Sequence, residues 1–239
     1  MKKTRRISGF LFTLAMIFIM MLCMSVTVMA DDNNYLTFEG TAPFTIEFED
    51  MTGIPWNGIL EYSTDKTNWK EWGGENIQSS ADSFLYLRGR GNDHITGDAY
   101  KNGWVIDAEG TVSCKGDIRT LLDYENPDNT EMDHYCFANL FCDCACLVKA
   151  PELPATDLSV GCYYSMFSNC DLSDTPTLSA NTLKDECYAY MFSNNDNISE
   201  VRSLPALELA DNCYYCMFES CSGLIKAPKL PAVKLANSC

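Results

Sequence analysis

Two hydrophobic rhythms divide the chain. Between residues 31 and 122, apolar and polar positions alternate in short runs, the period of half-buried strands. The runs are Leu36 and Phe38, then Phe44, Ile46 and Phe48, then Leu60 and Tyr62, then Phe84 to Leu87, then Trp104 to Ile106, then Thr111 to Cys114. Turn-forming clusters lie between them, such as Ser63 to Lys66 and Arg88 to Asn92. The last two runs flank Glu109-Gly110 and predict a hairpin. Together they predict a small all-β, sandwich-like module over 31–122. Ile118 to Leu122 predicts a helical turn leading out of it.

From residue 134 the rhythm changes to a long-period repeat. Its anchors are Cys136, Cys162, Cys187, Cys213 and Cys239, with spacings of 26, 25, 26 and 26 residues. A period of this length marks stacked supersecondary units. We number columns from each anchor as zero. Column 5 holds Phe141, Phe167, Phe192 and Phe218, and column 8 holds Cys144, Cys170, Asn195 and Cys221. One deletion after Cys170 accounts for the short second repeat. Columns 22, 0, 4 and 8 are four apart and apolar, which predicts one stripe on a helix. Columns 11 to 14, as in Leu224 to Ala227, predict a short strand that ends at Pro228, with Pro151 and Pro176 in the equivalent place. The expected fold is an α/β leucine-rich-repeat solenoid, with a short strand and a short helix per 25–26-residue repeat, behind the β module.

The unit seen whole from Cys213 to Leu235, Cys-Tyr-x-x-Met-Phe-x-x-Cys-x-x-Leu-x-x-Ala-Pro-x-Leu-Pro-Ala-x-x-Leu, resembles the BspA-like leucine-rich-repeat surface proteins of gut and oral bacteria. The resemblance covers about 134–239 and implies a cell-surface protein that adheres to host proteins or other bacteria. Asn195 in place of Cys and Ser179 in place of Pro depart from the pattern and suggest repeat drift.

Residues 1–30 have another character. Lys2, Lys3, Arg5 and Arg6 precede an apolar run from Phe10 to about Val28, and Ala30 offers a cleavage position before Asp31-Asp32. This predicts a signal peptide removed on export, leaving no membrane span; the rival is a retained anchor. Cys23 sits inside the run and fits a lipoprotein site poorly. The chain carries a formal charge of −16, and the leader is basic, so the remainder is more acidic still. Such a surface excludes nucleic acid as a natural partner. Residues 123–133 are acidic and turn-rich, and predict a solvated connector, since the spacing is wrong for an EF-hand calcium loop. The expected organisation is 1–30 signal peptide, 31–122 β module, 123–133 linker and 134–239 repeats, the last cut off at the first residue of a further unit.

The chain has 13 cysteines, one of them in the leader. An even remainder in an exported chain suggests disulfides. Their placement in repeat columns favours buried thiols instead. Cys142, Cys144 and Cys146, or Cys213 with Cys216, could ligate a metal, but no second pair or recurring His completes a tetrahedral set. His134 lies two residues from Cys136, yet that cysteine occupies the apolar column, against a Cys-His nucleophile. Leu153-Pro-Ala-Thr156 mimics a sorting motif inside a repeat and has a structural reading. The sequence therefore predicts no enzyme, no metal and no cofactor.

Two surfaces are candidates for recognition. The outward column of the expected strands reads Lys149, Asp174, Glu200 and Lys226, and the column after each anchor reads Phe137, Tyr163, Tyr188 and Tyr214. The expected function is an exported, extracellular or cell-surface protein that binds an unidentified host or bacterial surface protein. The alternative is glycan binding by the β module, with Trp56, Trp69 or Trp72 as stacking platforms.

Overall fold

In the computed structural model, residues 34–48, 54–97 and 103–239 are described, and Asn34–Cys239 form one compact unit. The expected signal peptide and Cys23 lie outside the described residues. The strands are β1 (Leu36–Gly40), β2 (Phe44–Phe48), β3 (Ile59–Ser63), β4 (Lys70–Glu71), β5 (Ile77–Gln78), β6 (Phe84–Arg90), β7 (Trp104–Ala108), β8 (Val112–Lys115) and β9 (Leu147–Lys149). They form a six-stranded sheet in the order β4-β3-β6-β1-β8-β9 and a three-stranded sheet in the order β5-β2-β7.

The longer strands, β1, β2, β3, β6, β7 and β8, fall on the alternating runs, because each puts one row of side chains inside. Leu36 and Phe38 of β1, Phe44 and Ile46 of β2, and Trp104 and Ile106 of β7 are buried in one core. Trp56, Trp72 and Trp104 form a chain of rings there, with centroids 5.3 and 5.4 Å apart. The predicted hairpin is not formed. β7 pairs with β2 and β8 pairs with β1, so the chain crosses from one sheet to the other at Glu109-Gly110. Thr41 Oγ1 accepts from Thr111 N there at 2.9 Å and fastens the crossing.

The expected α/β leucine-rich-repeat solenoid is corrected by the structure. The architecture is β-sheet and turns, and no α-helix occurs among the described residues. The strand of the first repeat does form, as β9, which extends the six-stranded sheet parallel to β8. Later repeats keep only a single bridge at the equivalent place, Glu200 with Lys226, and two further single bridges lie closer to the next anchor, Leu153 with Leu178 and Thr182 with Glu208.

The predicted helices are instead ribbons of overlapping turns. In each ribbon every fourth residue is left-handed: Tyr135, Asn139 and Asp143, then Gly161, Ser165 and Asn169, then Glu186, Tyr190 and Asn194, then Asn212, Cys216 and Ser220. Backbone donors alternate in direction. Ala138 N, Leu140 N and Cys142 N bond three residues back, whereas Phe137 N donates to Cys162 O at 2.9 Å and Asn139 N to Tyr164 O at 2.8 Å. Tyr163 N to Cys187 O at 3.0 Å and Tyr188 N to Cys213 O at 3.1 Å continue the ladder. An α-helix directs all its donors inward along its own axis. Here half of them join one repeat to the next.

Equivalent rings stack along the ladder. Phe141, Phe167, Phe192 and Phe218 lie 5.6, 5.9 and 5.7 Å apart, within 13° of parallel. Phe137, Tyr163, Tyr188 and Tyr214 do the same at 5.9, 5.9 and 6.0 Å. The acidic stretch 123–133 is fastened to the sheets: Tyr124 N donates to Gly89 O and Asp133 N to Asp93 O, both at 2.9 Å.

Column 8 couples neighbouring repeats through side chains. Cys170 Sγ donates to Phe141 O and Cys221 Sγ to Phe192 O, both at 3.0 Å. Asn195, fully buried, donates to Phe167 O at 2.7 Å and Phe192 O at 3.0 Å, and accepts from Leu172 N at 3.2 Å. It is a substitute donor in this column, not the drift that the sequence suggests. Replacing Asn195 with Ala strands buried groups on two repeats and should cost about 2–3 kcal/mol. Asn195→Cys restores one donor and should cost less. Urea unfolding midpoints of the two variants check the order, and equal midpoints would refute it.

Candidate functional site

The candidate site is a groove of about 570 Å³ on the side of the ladder where the single bridges lie. Its walls are Val148 to Pro154 of the first repeat and Ser173 to Thr177 with Ser179 of the second, and Arg202 of the third also lines it. Val148 O accepts from both Ser173 N and Ser173 Oγ at 3.2 Å, which sets the distance between the walls. Pro151, Pro154 and Pro176 leave fewer backbone donors to satisfy along the walls.

The four predicted residues separate into two sets. Lys149, at the end of β9, and Asp174 line the groove. Glu200 and Lys226 lie outside it and pair with each other at 3.0 Å across their bridge. Asp174 pairs with Arg202, whose Nε donates to Asp174 Oδ2 at 3.0 Å. The sequence reasoning missed Arg202. Its signal was positional: it occupies column 15, where the other repeats carry Pro151, Pro176 and Pro228. Unlike a proline, it keeps its N–H, which donates to Thr175 Oγ1 at 3.3 Å. Its side chain is 58% exposed and that of Asp174 49%. Such a pair contributes less than about 1 kcal/mol to stability, so these charges can be redirected to a ligand at little cost to the fold.

The other candidates are packing elements. Phe137, Tyr163 and Tyr188 are buried. So are Cys136, Cys162, Cys187 and Cys213, together with Phe141, Phe167 and Phe192, while Phe218 and Cys239 are half-buried. Trp56 and Trp72 belong to the core. Trp69 is half-buried, and Arg88 lies 4.0 Å from its ring centroid. The twelve described cysteines are free thiols. Burial pushes the Cys136 and Cys162 thiols well up and raises Cys187 to about 12. Neutral thiols are poor nucleophiles and poor metal ligands.

Asp93, His94 and Asp133 are the one group among the described residues whose side chains could close around a cation. His94 already uses both ring nitrogens, Nδ1 with Asp93 Oδ1 at 2.5 Å and Nε2 with Pro55 O at 2.9 Å. The trio ties residues 55, 93 and 133 together and presents no unengaged imidazole nitrogen.

The thiols set a pH dependence. In the unfolded chain they ionise near the ordinary 9.0, while folded Cys187 keeps its proton to about 12. A raised folded value means full stability below the unfolded one, and progressive loss as pH climbs from 9.0 towards 12. The buried Tyr163 and Tyr188 phenols, pushed up by the same desolvation, act in the same direction. Urea midpoints under reductant should therefore stay level below pH 9 and fall above it; a level profile throughout would show the thiols to be open to water. Comparison of the chain with protein-family models, curated proteins and solved structures finds no match.

Proposed function

We propose that this is an exported binding protein that engages another surface protein through the groove between its first and second repeats. The observation that carries the reading is the groove itself, where Lys149, Asp174 and Arg202 stand among Pro151, Pro154 and Pro176 in a hollow of about 570 Å³. The backbone frame repeats while the charged side chain in the outward column changes from Lys149 to Asp174 to Glu200 to Lys226, and a fixed frame with variable charges suits selective protein recognition. The basic and then apolar first 30 residues support export, and the motif resemblance to BspA-like surface proteins supports a role in adhesion. The acidic charge argues against nucleic acid. Binding without catalysis is part of the reading, because burial holds the repeat-anchor thiols Cys162 and Cys187 neutral. The tryptophans that would make the β module a glycan binder are buried or covered by Arg88, which favours the groove.

The test is surface plasmon resonance with the immobilised protein, probed with extracellular-matrix proteins and bacterial surface extracts. Binding should be saturable and salt-sensitive, and the Lys149→Ala, Arg202→Ala double variant should bind about tenfold more weakly. Trp69→Ala should bind as the unaltered protein does. Binding that free sugar competes away, and that Trp69→Ala abolishes, would move the function to the sheets.

A further inference from the structure

A second hollow, of about 220 Å³, shares no lining residue with the groove. Tyr135, Tyr164, Tyr190 and Tyr215 surround it, with Glu186, Ala189 and Asn212. The core rings of the ladder stack nearly parallel, but these four do not. Successive pairs meet at 73°, 65° and 87°, with centroids 6.3, 5.6 and 5.3 Å apart. They are half-buried except Tyr215, which is 42% exposed.

The backbone marks the same place. Three lining residues occupy left-handed positions that suit them badly: Tyr135 at φ 53°, Glu186 at 59° and Tyr190 at 55°. The equivalent positions in other repeats hold Gly161, Asn212 and Ser238, and Asn139, Ser165 and Cys216. Asn and Gly tolerate this conformation, whereas a bulky ring does so only when the surroundings impose it. Strain of this kind gathers at sites of use. The geometry of Gly161 also serves the hollow. A Cβ there would lie 2.2 Å from Tyr135 Cε1. Without one, the Tyr135 ring crosses the second repeat and its hydroxyl donates to Glu186 Oε2, on the third, at 2.9 Å.

Tyrosine rings that meet edge to face, with a carboxylate lining the same hollow, attract a cation that is large and weakly hydrated. Loss of hydration and the neighbouring Tyr215 hydroxyl push the Tyr190 phenol up to about 12, so the ring stays neutral. The acidic chain adds long-range attraction for positive charge. We propose that this hollow binds an organic ammonium group, either the side chain of a lysine or a quaternary ammonium head, with the four tyrosine rings as walls and Glu186 as the counter-charge.

Isothermal titration of the full chain with choline, with Nα-acetyl-lysine amide and with dimethylbutanol, the uncharged isostere of choline, tests this. At least one cation should bind, and dimethylbutanol should bind about tenfold more weakly or not at all. Tighter binding of choline assigns a quaternary head, and tighter binding of the amide assigns a lysine side chain. Glu186→Gln keeps the bond from Tyr135 while removing the charge, and should weaken the cation about tenfold. Tyr190→Asn places a tolerant residue at the left-handed position, so it should abolish binding while its urea midpoint stays equal or rises. The proposal fails if neither cation gives heat, if dimethylbutanol matches choline, or if either variant binds as the unaltered chain does.

Discussion

The alternation of backbone donors in the turn ribbons is the constraint on which the repeat region depends. One N–H in two closes a local turn and the next reaches the adjacent repeat. Neither set suffices alone, since a turn with one bond is marginal and a ladder needs its rungs at fixed spacing. Together they satisfy the ribbon backbone without either a helix or a continuous sheet. They also fix the rise between repeats at the stacking distance of aromatic rings, which is why Phe141, Phe167, Phe192 and Phe218 can stand face to face. The side-chain donors of column 8 reinforce the same contact from inside the core.

The ladder is not an independent body beside the β sheets. Strand β9 belongs to the first repeat and to the six-stranded sheet at once. Trp104 and Phe141 meet edge to face across the same junction at 5.5 Å. Cys144 Sγ donates to Trp104 O at 2.9 Å and Cys146 Sγ to Ile106 O at 3.1 Å. The sheets thus act as a template for the first rung, and the groove lies between that rung and the next. Its walls inherit their separation from a rigid base, which is what a binding surface of fixed shape needs.

The repeat period, its columns and the six longer strands were legible in the sequence, because burial imposes a period that residue types report directly. The helix assignment failed for a physical reason. A stripe at every fourth residue is shared by a helix and by a four-residue turn period. On a straight helix it drifts by about 40° at each step, and here Leu158, Cys162, Met166 and Cys170 are all buried without drift. Asn139, Asn169, Asn194 and Asn212 recurring at left-handed positions were the missed clue. The hairpin failed because alternation states which side chains point inward, not which sheet a strand joins. Half of the candidate site was visible: Lys149 and Asp174 lay in an outward column, whereas Arg202 could be found only as the one break in a column of prolines.

Alternating donors give each ribbon a parity. Losing one residue inside it would exchange the two sets of N–H groups, so that turn-closing donors faced the neighbouring repeat and ladder donors faced inward. A change of one residue is harmless only where that frame is not being kept. The single deletion in the second repeat falls after Cys170, just past the end of its ribbon. Length variation in such a chain is therefore channelled into the segments that build the groove, and the ribbons are left to change by substitution alone. The architecture separates a part that can be lengthened or shortened from a part that can only be re-lettered, and the charged binding column belongs to the first.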